Sequence, residues 1–196
     1  VDNPTHARIR ENSPIQAASD STEPGSDTLR RDLLDDYTFR LNRHPGRRVD
    51  VAVSTAEAPG DVVLDYLVRE NKPWFIFGQI ANTGTRQTNE IRERIGFINN
   101  QLTGNDDILV IDFVTAGFGG THGVVGSYEF PIAERLRLRT YAAYSKFDAS
   151  QVGLADESFE GESWSVGGDL SWNFFQRRDL FIDFITGLRW ETLSTD

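Results

Sequence analysis

Residues 163–174 alternate without interruption. Trp164, Val166, Gly168, Leu170, Trp172 and Phe174 fall on one face; Ser163, Ser165, Gly167, Asp169, Ser171 and Asn173 fall on the other. A period of two is the signature of a β-strand with one apolar side. The preceding segment repeats it, with Leu136, Leu138, Ala142 and Tyr144 against Arg135, Arg137, Arg139 and Ser145. In the following one, Leu180, Ile182, Phe184, Leu188 and Trp190 oppose Asp183, Arg189 and Glu191, with Phe181 and Ile185 as exceptions. Extended segments separated by turn clusters fill the chain beyond Pro73: 74–84, 90–101, 106–117, 123–131, 135–148, 162–175 and 179–191. Most are about as long as the ~9–11 residues that cross a bilayer as a tilted strand, and longer than the ~5–6 usual in soluble sheets.

Alternation does not say which face is outside. A lipocalin-like barrel or a sandwich turns its apolar set inward; a membrane barrel turns it toward lipid. Trp74, Trp164, Trp172 and Trp190 lie near strand ends, where amphipathic rings settle at a membrane interface, and this favours lipid outside. The opposite face carries charges and small residues, as a wet lumen would. Its candidates are Arg135, Arg137, Arg139, Asp169, Asp183 and Arg189. The arginine ladder needs no anion ligand, because a charged stripe between apolar residues is what such a face requires.

The first third of the chain is patterned differently. Residues 1–26 hold Pro, Ser and acidic residues with little periodicity, and read as linker or a partial strand around "ARIRENSP". Leu29, Leu33, Leu34, Tyr37 and Leu41 then recur at helical spacing, predicting a helix over 28–41. Ser26 or Asp27 would cap it, and "HPG" at 44–46 would end it. Asp35 and Asp36 are adjacent on that helix, point about 100° apart, and read as a solvated face. Strands follow at 49–54 and 62–70, around a Pro-Gly turn. Helix, strand, turn and strand form a small α+β unit over 27–72, which buries too little to stand without further strands.

Composition narrows the function classes. The 196 residues carry a formal net charge of −10, which disfavours the phosphate neutralisation on which non-specific nucleic-acid binding rests. The absence of cysteine removes disulfides and thiolate chemistry. No run approaches the ~18 apolar residues of a membrane helix, which leaves a β-barrel open. The chain opens at Val1 without a signal peptide's apolar run, as expected of a processed end or an excerpt.

Enzyme chemistry finds little footing, and no cofactor is expected. His6, His44 and His122 are widely separated and lack cysteine partners for a metal centre. "GNDD" at 104–107 lacks the carboxylate spacing of a calcium loop and reads as a hairpin turn. Gly117, Gly119, Gly120, Gly123 and Gly126 crowd into ten positions, but a nucleotide-binding loop must open a helix. Here an alternating strand and Pro131 follow, so the stretch is a hairpin with Gly119-Gly120 taking the positive φ of its turn.

Several stretches in order resemble one family. "LNRHPGRRVDVAVSTAEAPGDVVLDYLV" is similar to the end of a POTRA domain, and "IANTGTRQTNEIRERIGFINNQLTGNDDILVIDFVTA" to the first barrel hairpins of the Omp85 superfamily. "GSYEFPI", "YAAYSKFD" and "FFQRRDLFIDFITGLRWETLS" continue the likeness, which is greatest to two-partner secretion transporters of the ShlB/FhaC hemolysin-secretion type. The resemblance covers residues 27–196. It implies a mainly β chain: a partial α+β POTRA module in the periplasm, then the first part of an antiparallel outer-membrane barrel over 73–196. The family's barrels have sixteen strands, so the chain is expected to be a fragment. The implied activity is export of an unfolded partner polypeptide without nucleotide or nucleic acid, through outer-membrane lipids. An added strand of the passenger would pair with the edge Val49, Asp50, Val51, Ala52 and Val53. An outer-membrane assembly factor of the same superfamily is the alternative, and a soluble β-barrel that binds a small ligand is the alternative of another class.

Overall fold

The computed structural model describes residues 4–17, 25–86, 89–119, 121–152 and 157–195. Two helices, α1 (Pro4–Glu11) and α2 (Arg31–Leu41), precede nine strands. These are β1 (Arg47–Thr55), β2 (Val62–Glu70), β3 (Trp74–Thr85), β4 (Asn89–Asn99), β5 (Ile108–Ala116), β6 (His122–Ala133), β7 (Leu136–Val152), β8 (Glu157–Arg177) and β9 (Leu180–Thr195). One antiparallel pair, β1–β2, and one seven-stranded sheet in sequence order, β3 to β9, make up the β structure. The mainly β class and the seven strands expected from alternation are what the structure contains. The chain divides into two compact units, residues 1–73 with 173–183, and 74–172 with 184–196.

In the first unit the core is small: Ile9, Tyr37 and Val49 are buried, with Leu41, Tyr66 and Val68 packed against them. Helical spacing brings Leu34 and Tyr37 to the buried side of α2. The Tyr37 hydroxyl donates to the Ile9 carbonyl at 2.7 Å, and its ring meets that of Tyr66 edge-on at 6.0 Å. A polar handle thus keeps each ring in the core without an orphaned hydroxyl, since Tyr66 Oη also bonds Ser13 Oγ at 2.6 Å.

Three local expectations change here. The segment proposed as a partial strand within 1–26 forms helix α1, whose Ile9 is buried with Tyr37 and Val49 while Arg8 and Arg10 are exposed. Helix α2 starts three residues later than expected, and neither Ser26 nor Asp27 caps it. Residues 25–28 are used in a turn closed by Thr28 N–H to the Gly25 carbonyl at 3.3 Å, and the N-cap is Arg30, without a side-chain bond. Asp36 is also more than a solvated group. Within the same unit its carbonyl accepts from Gln176 Nε2 and its carboxylate from Arg178 N–H, each at 2.6 Å.

In the second unit the turn between β4 and β5 is built around one carboxylate. Asp107 is fully buried and accepts from the Thr103 N–H at 3.1 Å, the Thr103 hydroxyl at 2.9 Å and the Asn105 N–H at 3.3 Å. Burial pushes its carboxyl up, but these donors and Tyr128 outweigh that and hold it below the ordinary range. Gly104 and Asp106 take the positive φ values of the turn. The glycine-rich turn between β5 and β6 is a hairpin as expected, but among the described residues its left-handed ones are Gly117 and Phe118, not Gly119; Gly120 lies outside the described residues. A β-carbon at Gly117 would run into the Asn89 side chain, so the close approach to the neighbouring hairpin selects glycine there.

Replacing Asp107 with alanine should strip the acceptor from several buried donors and cost about 1–3 kcal/mol, read as a lower urea midpoint in detergent. The stabilisation by Asp107 is complete above the ordinary carboxylate value of about 3.9 and is lost as the pH falls through its depressed one. Amide exchange at Thr103 and Asn105 should therefore accelerate in that window, and not in the alanine variant.

Candidate functional site

The register of the seven-stranded sheet sorts its side chains. Directly paired residues share a face, so rows can be followed from strand to strand. One row runs Gly78, Ile95, Phe113, Val124, Tyr144, Trp164 across β3 to β8. Another runs Ile76, Phe97, Ile111, Gly126, Ala142, Val166. Two residues further along, Trp74 pairs with Asn99, and six residues along β7–β8, on the same face, Leu136 pairs with Trp172. The face is apolar across six strands, and its large side chains are exposed: Ile80 at 73% and Trp172 at 51%. Exposed apolar surface continuous over this many strands exceeds what a water-facing sheet carries.

The apolar face has a sharp limit at one end. A single row, Glu93, Thr115, His122, Lys146 and Glu162, crosses β4 to β8 beside the Ile95–Trp164 row. Glu93 is buried and accepts from the Thr115 hydroxyl at 2.6 Å and the Phe118 N–H at 3.3 Å. Lys146 lies 3.4 Å from Glu160 and 3.9 Å from Glu162. Trp164 and Trp172 are eight residues apart on one face of β8, about 27 Å at the usual strand rise of ~3.4 Å. That is close to the ~25 Å apolar band of an outer-membrane barrel.

The opposite face carries cross-strand ion pairs. Arg94 Nε on β4 reaches Asp112 on β5 at 2.8 Å; Arg137 Nε on β7 reaches Glu129 on β6 at 2.5 Å; Arg139 on β7 pairs with Asp169 on β8. Ser145 and Ser163 bond through their hydroxyls at 2.8 Å. Of the lumen candidates, Arg137, Arg139 and Asp169 are brought together here, while Arg135 lies in the turn between β6 and β7. Arg189 is 3.0 Å from Glu191 on the same strand. Asp183 is held by the first unit's own groups, Arg43 at 2.5 Å and Asn173 Nδ2 at 2.7 Å. Alternation in β9 sets Trp190 opposite in face to Gly187, whose missing β-carbon would point at Asp169. All four tryptophans therefore belong to the apolar face.

Sequence alone did not reveal Arg94, Asp112, Glu129 or the Glu93–Thr115 bond, because each depends on which strands neighbour which. Another missed feature explains the aromatics on the polar face. Phe77, Tyr141 and Phe147 each stand directly opposite a glycine, Gly96, Gly167 and Gly161 respectively. A β-carbon at any of these glycines would run into the facing ring. The rings lie over bare backbone and shield it, the pairing known as aromatic rescue of glycine. Arg94 adds its guanidinium over Phe77 at 5.2 Å.

The candidate docking edge is β1. Its partner on one side is β2, in the register Val49–Val68, Val51–Tyr66 and Val53–Leu64. Val49 is fully buried. Its N–H donates to Asn42 Oδ1 at 2.6 Å, and its carbonyl accepts from Asn42 Nδ2 at 2.9 Å. Both groups point away from β2, and antiparallel alternation directs those of Val51 and Val53 the same way. Asp50 and Ala52 instead direct their backbone groups to β2. The Asp50 side chain is held by Arg69 at 2.7 Å and Arg48 at 3.4 Å. No group of histidine and acidic residues that could hold a metal ion exists among the described residues.

No family model matches the chain. It is 33% identical over 100 residues to the outer membrane transporter CdiB-2 of Burkholderia pseudomallei (strain 1026b), a match over 47% of this chain and 17% of that protein. Its fold is similar to that of CdiB from Escherichia coli, with a TM-score of 0.69 at 16% identity, over 88% of this chain and 33% of the solved one. The chain thus spans about a sixth of the curated relative's length and a third of the solved structure's.

Placing valine at Gly96 should force the Phe77 ring off its seat and cost about 1–3 kcal/mol, the usual range for overpacking. Alanine at Phe77 in the same background should recover part of the loss, measured as the urea midpoint of the folded sheet in detergent.

From the sequence match over about half the chain, with a fold to agree, the chain is homologous to the CdiB outer-membrane transporters.

Proposed function

We propose that the chain supplies the end of a periplasmic POTRA module, over 27–72, and the first barrel strands, over 73–196, of an outer-membrane pore that exports an unfolded partner polypeptide. The observation that carries this reading is the division of the seven-stranded sheet into one apolar and one ion-paired face. Lipid on the apolar side accounts for the exposed isoleucines, valines and tryptophans, and a wet lumen accounts for the arginine–carboxylate pairs. Trp74, Trp164, Trp172 and Trp190 would then sit at the membrane interfaces. Arg137, Arg139, Asp169 and Arg189 would line the conduit. Paired charges there keep water in while leaving few isolated charges to trap a passing chain, which suits transport better than storage. Arg135 and Asp183 would lie at its margin.

Capture of the passenger falls to the edge of β1 from Val49 to Val53. Strand addition supplies affinity from the main chain and so tolerates varied sequences, as export of an extended polypeptide demands. The POTRA origin of this edge is supported by the order helix, strand, turn, strand and by the likeness to the CdiB proteins, whose name marks one of them as an outer membrane transporter.

Two measurements separate the parts of this reading. Val51→Pro in the full-length protein removes an outward N–H without touching the β1–β2 ladder. Export of the partner should fall at least tenfold with normal barrel assembly; unchanged export would refute the edge. Val166→Arg should cost about 2 kcal/mol of stability in lipid, within the range for a lipid-facing arginine. A neutral effect in bilayers would refute the lipid-facing assignment.

A further inference from the structure

The Asn42 side chain occupies the first hydrogen-bonding slot of the β1 edge. It presents one acceptor and one donor to the Val49 N–H and carbonyl, at 2.6 and 2.9 Å, as the backbone of a neighbouring strand would. The next slots, at Val51 and Val53, meet no partner among the described residues. Val53 is 48% exposed, whereas Val49 is fully buried. The edge is therefore closed at one end and open at the other, and the boundary is made by a side chain.

We propose that Asn42 is a register clip: it stops an incoming strand at Val51, so that an added extended segment pairs with Val51 and Val53 and not with Val49. The proposal rests on the assignment of β1 as the docking edge and adds the rule that fixes where pairing begins. Register matters because a shift by one residue turns the alternate side chains of the added strand to the opposite face. With the clip in place, the residues of the segment facing the same side as Val51 and Val53 are fixed. Those two valines are apolar, and the fitting occupant is an extended polypeptide with apolar residues at alternate positions. Asn42 is held for this role by the end of α2, where its own N–H bonds the Thr38 carbonyl at 3.1 Å. The amide is thus aimed by the helix terminus and by the turn that Gly46 completes in left-handed conformation.

The test uses the whole chain in detergent micelles and a synthetic ten-residue peptide of alternating valine and threonine as the probe. Amide hydrogen exchange is followed at Val49, Val51 and Val53 with and without peptide. With Asn42 intact, peptide should slow exchange at least tenfold at Val51 and Val53 and leave the already slow Val49 unchanged. In Asn42→Ala, Val49 should exchange quickly without peptide and gain protection on its addition, as the strand extends into the vacated slot. Asn42→Asp keeps the acceptor but loses the donor, so Val49 should stay slow. Peptide protection of Val51 and Val53 alone in Asn42→Ala would overturn the clip and leave the docking edge standing. Absence of protection anywhere on β1 in either protein would overturn both. Circular dichroism and protection of the Leu67 amide, which lies opposite Asp50 in the β1–β2 ladder, establish that the variant is folded, so that fast exchange at Val49 reports the lost clip.

Discussion

Cross-strand register is the constraint on which this structure depends. A lipid-facing strand cannot leave backbone groups unpaired, and a sheet satisfies them only by pairing every strand with its neighbour. Once the pairing is set, a period of two commits each side chain to one face, and a slip of a single residue would exchange isoleucine for arginine on the apolar side. The rows through Trp164 and Val166 are continuous across six strands because each hairpin keeps this phase. The turns are accordingly specific. Asp107 gathers the amides of one, and Gly117 and Phe118 accept the left-handed conformation of another.

The two faces solve opposite problems. On the apolar face nothing inside the protein needs to cover the side chains, so large residues stay exposed and the polar row from Glu93 to Glu162 ends the band. On the other face, charges occur mainly with a partner on the adjacent strand. Exposed pairs of this kind contribute little stability, typically below about 1 kcal/mol. Their arrangement in neighbouring strands points to control of the local field instead. Rings laid over glycines at Phe77, Tyr141 and Phe147 fill that face without adding charge.

Much of this was legible in the sequence. Period-two alternation located all seven strands, and helical spacing located α2 with its buried Leu34 and Tyr37. Alternation also assigned the tryptophans and Arg137, Arg139 and Asp169 to opposite faces. What the sequence could not show was contact across strands. The partners Asp112 and Glu129, and the glycines beneath aromatic rings, follow from register, which a linear pattern does not encode. Helix α1 was missed because "ARIR" alternates like a strand, while its single apolar residue is claimed by a tertiary contact with Tyr37. The cap of α2 was misplaced because residues 25–28 are used in a turn, and the hairpin's positive φ falls on Gly117 and Phe118 where Gly119 was expected. Asn42 gave no signal beyond its place after a helix.

Lipid against the apolar face of the sheet and water against the ion-paired face can be told apart position by position. The chain has no cysteine, so single cysteines can be placed at each position from 163 to 174 without background. Spin labels at these sites, in the full-length protein reconstituted into bilayers, report collisions with oxygen, which concentrates in lipid, and with a water-soluble nickel chelate. An apolar face in lipid requires an alternation with period two, oxygen dominating at 164, 166, 168, 170 and 172 and nickel at 163, 165, 167, 169 and 171. Alternation in the opposite phase, or equal nickel access at every position, would contradict it.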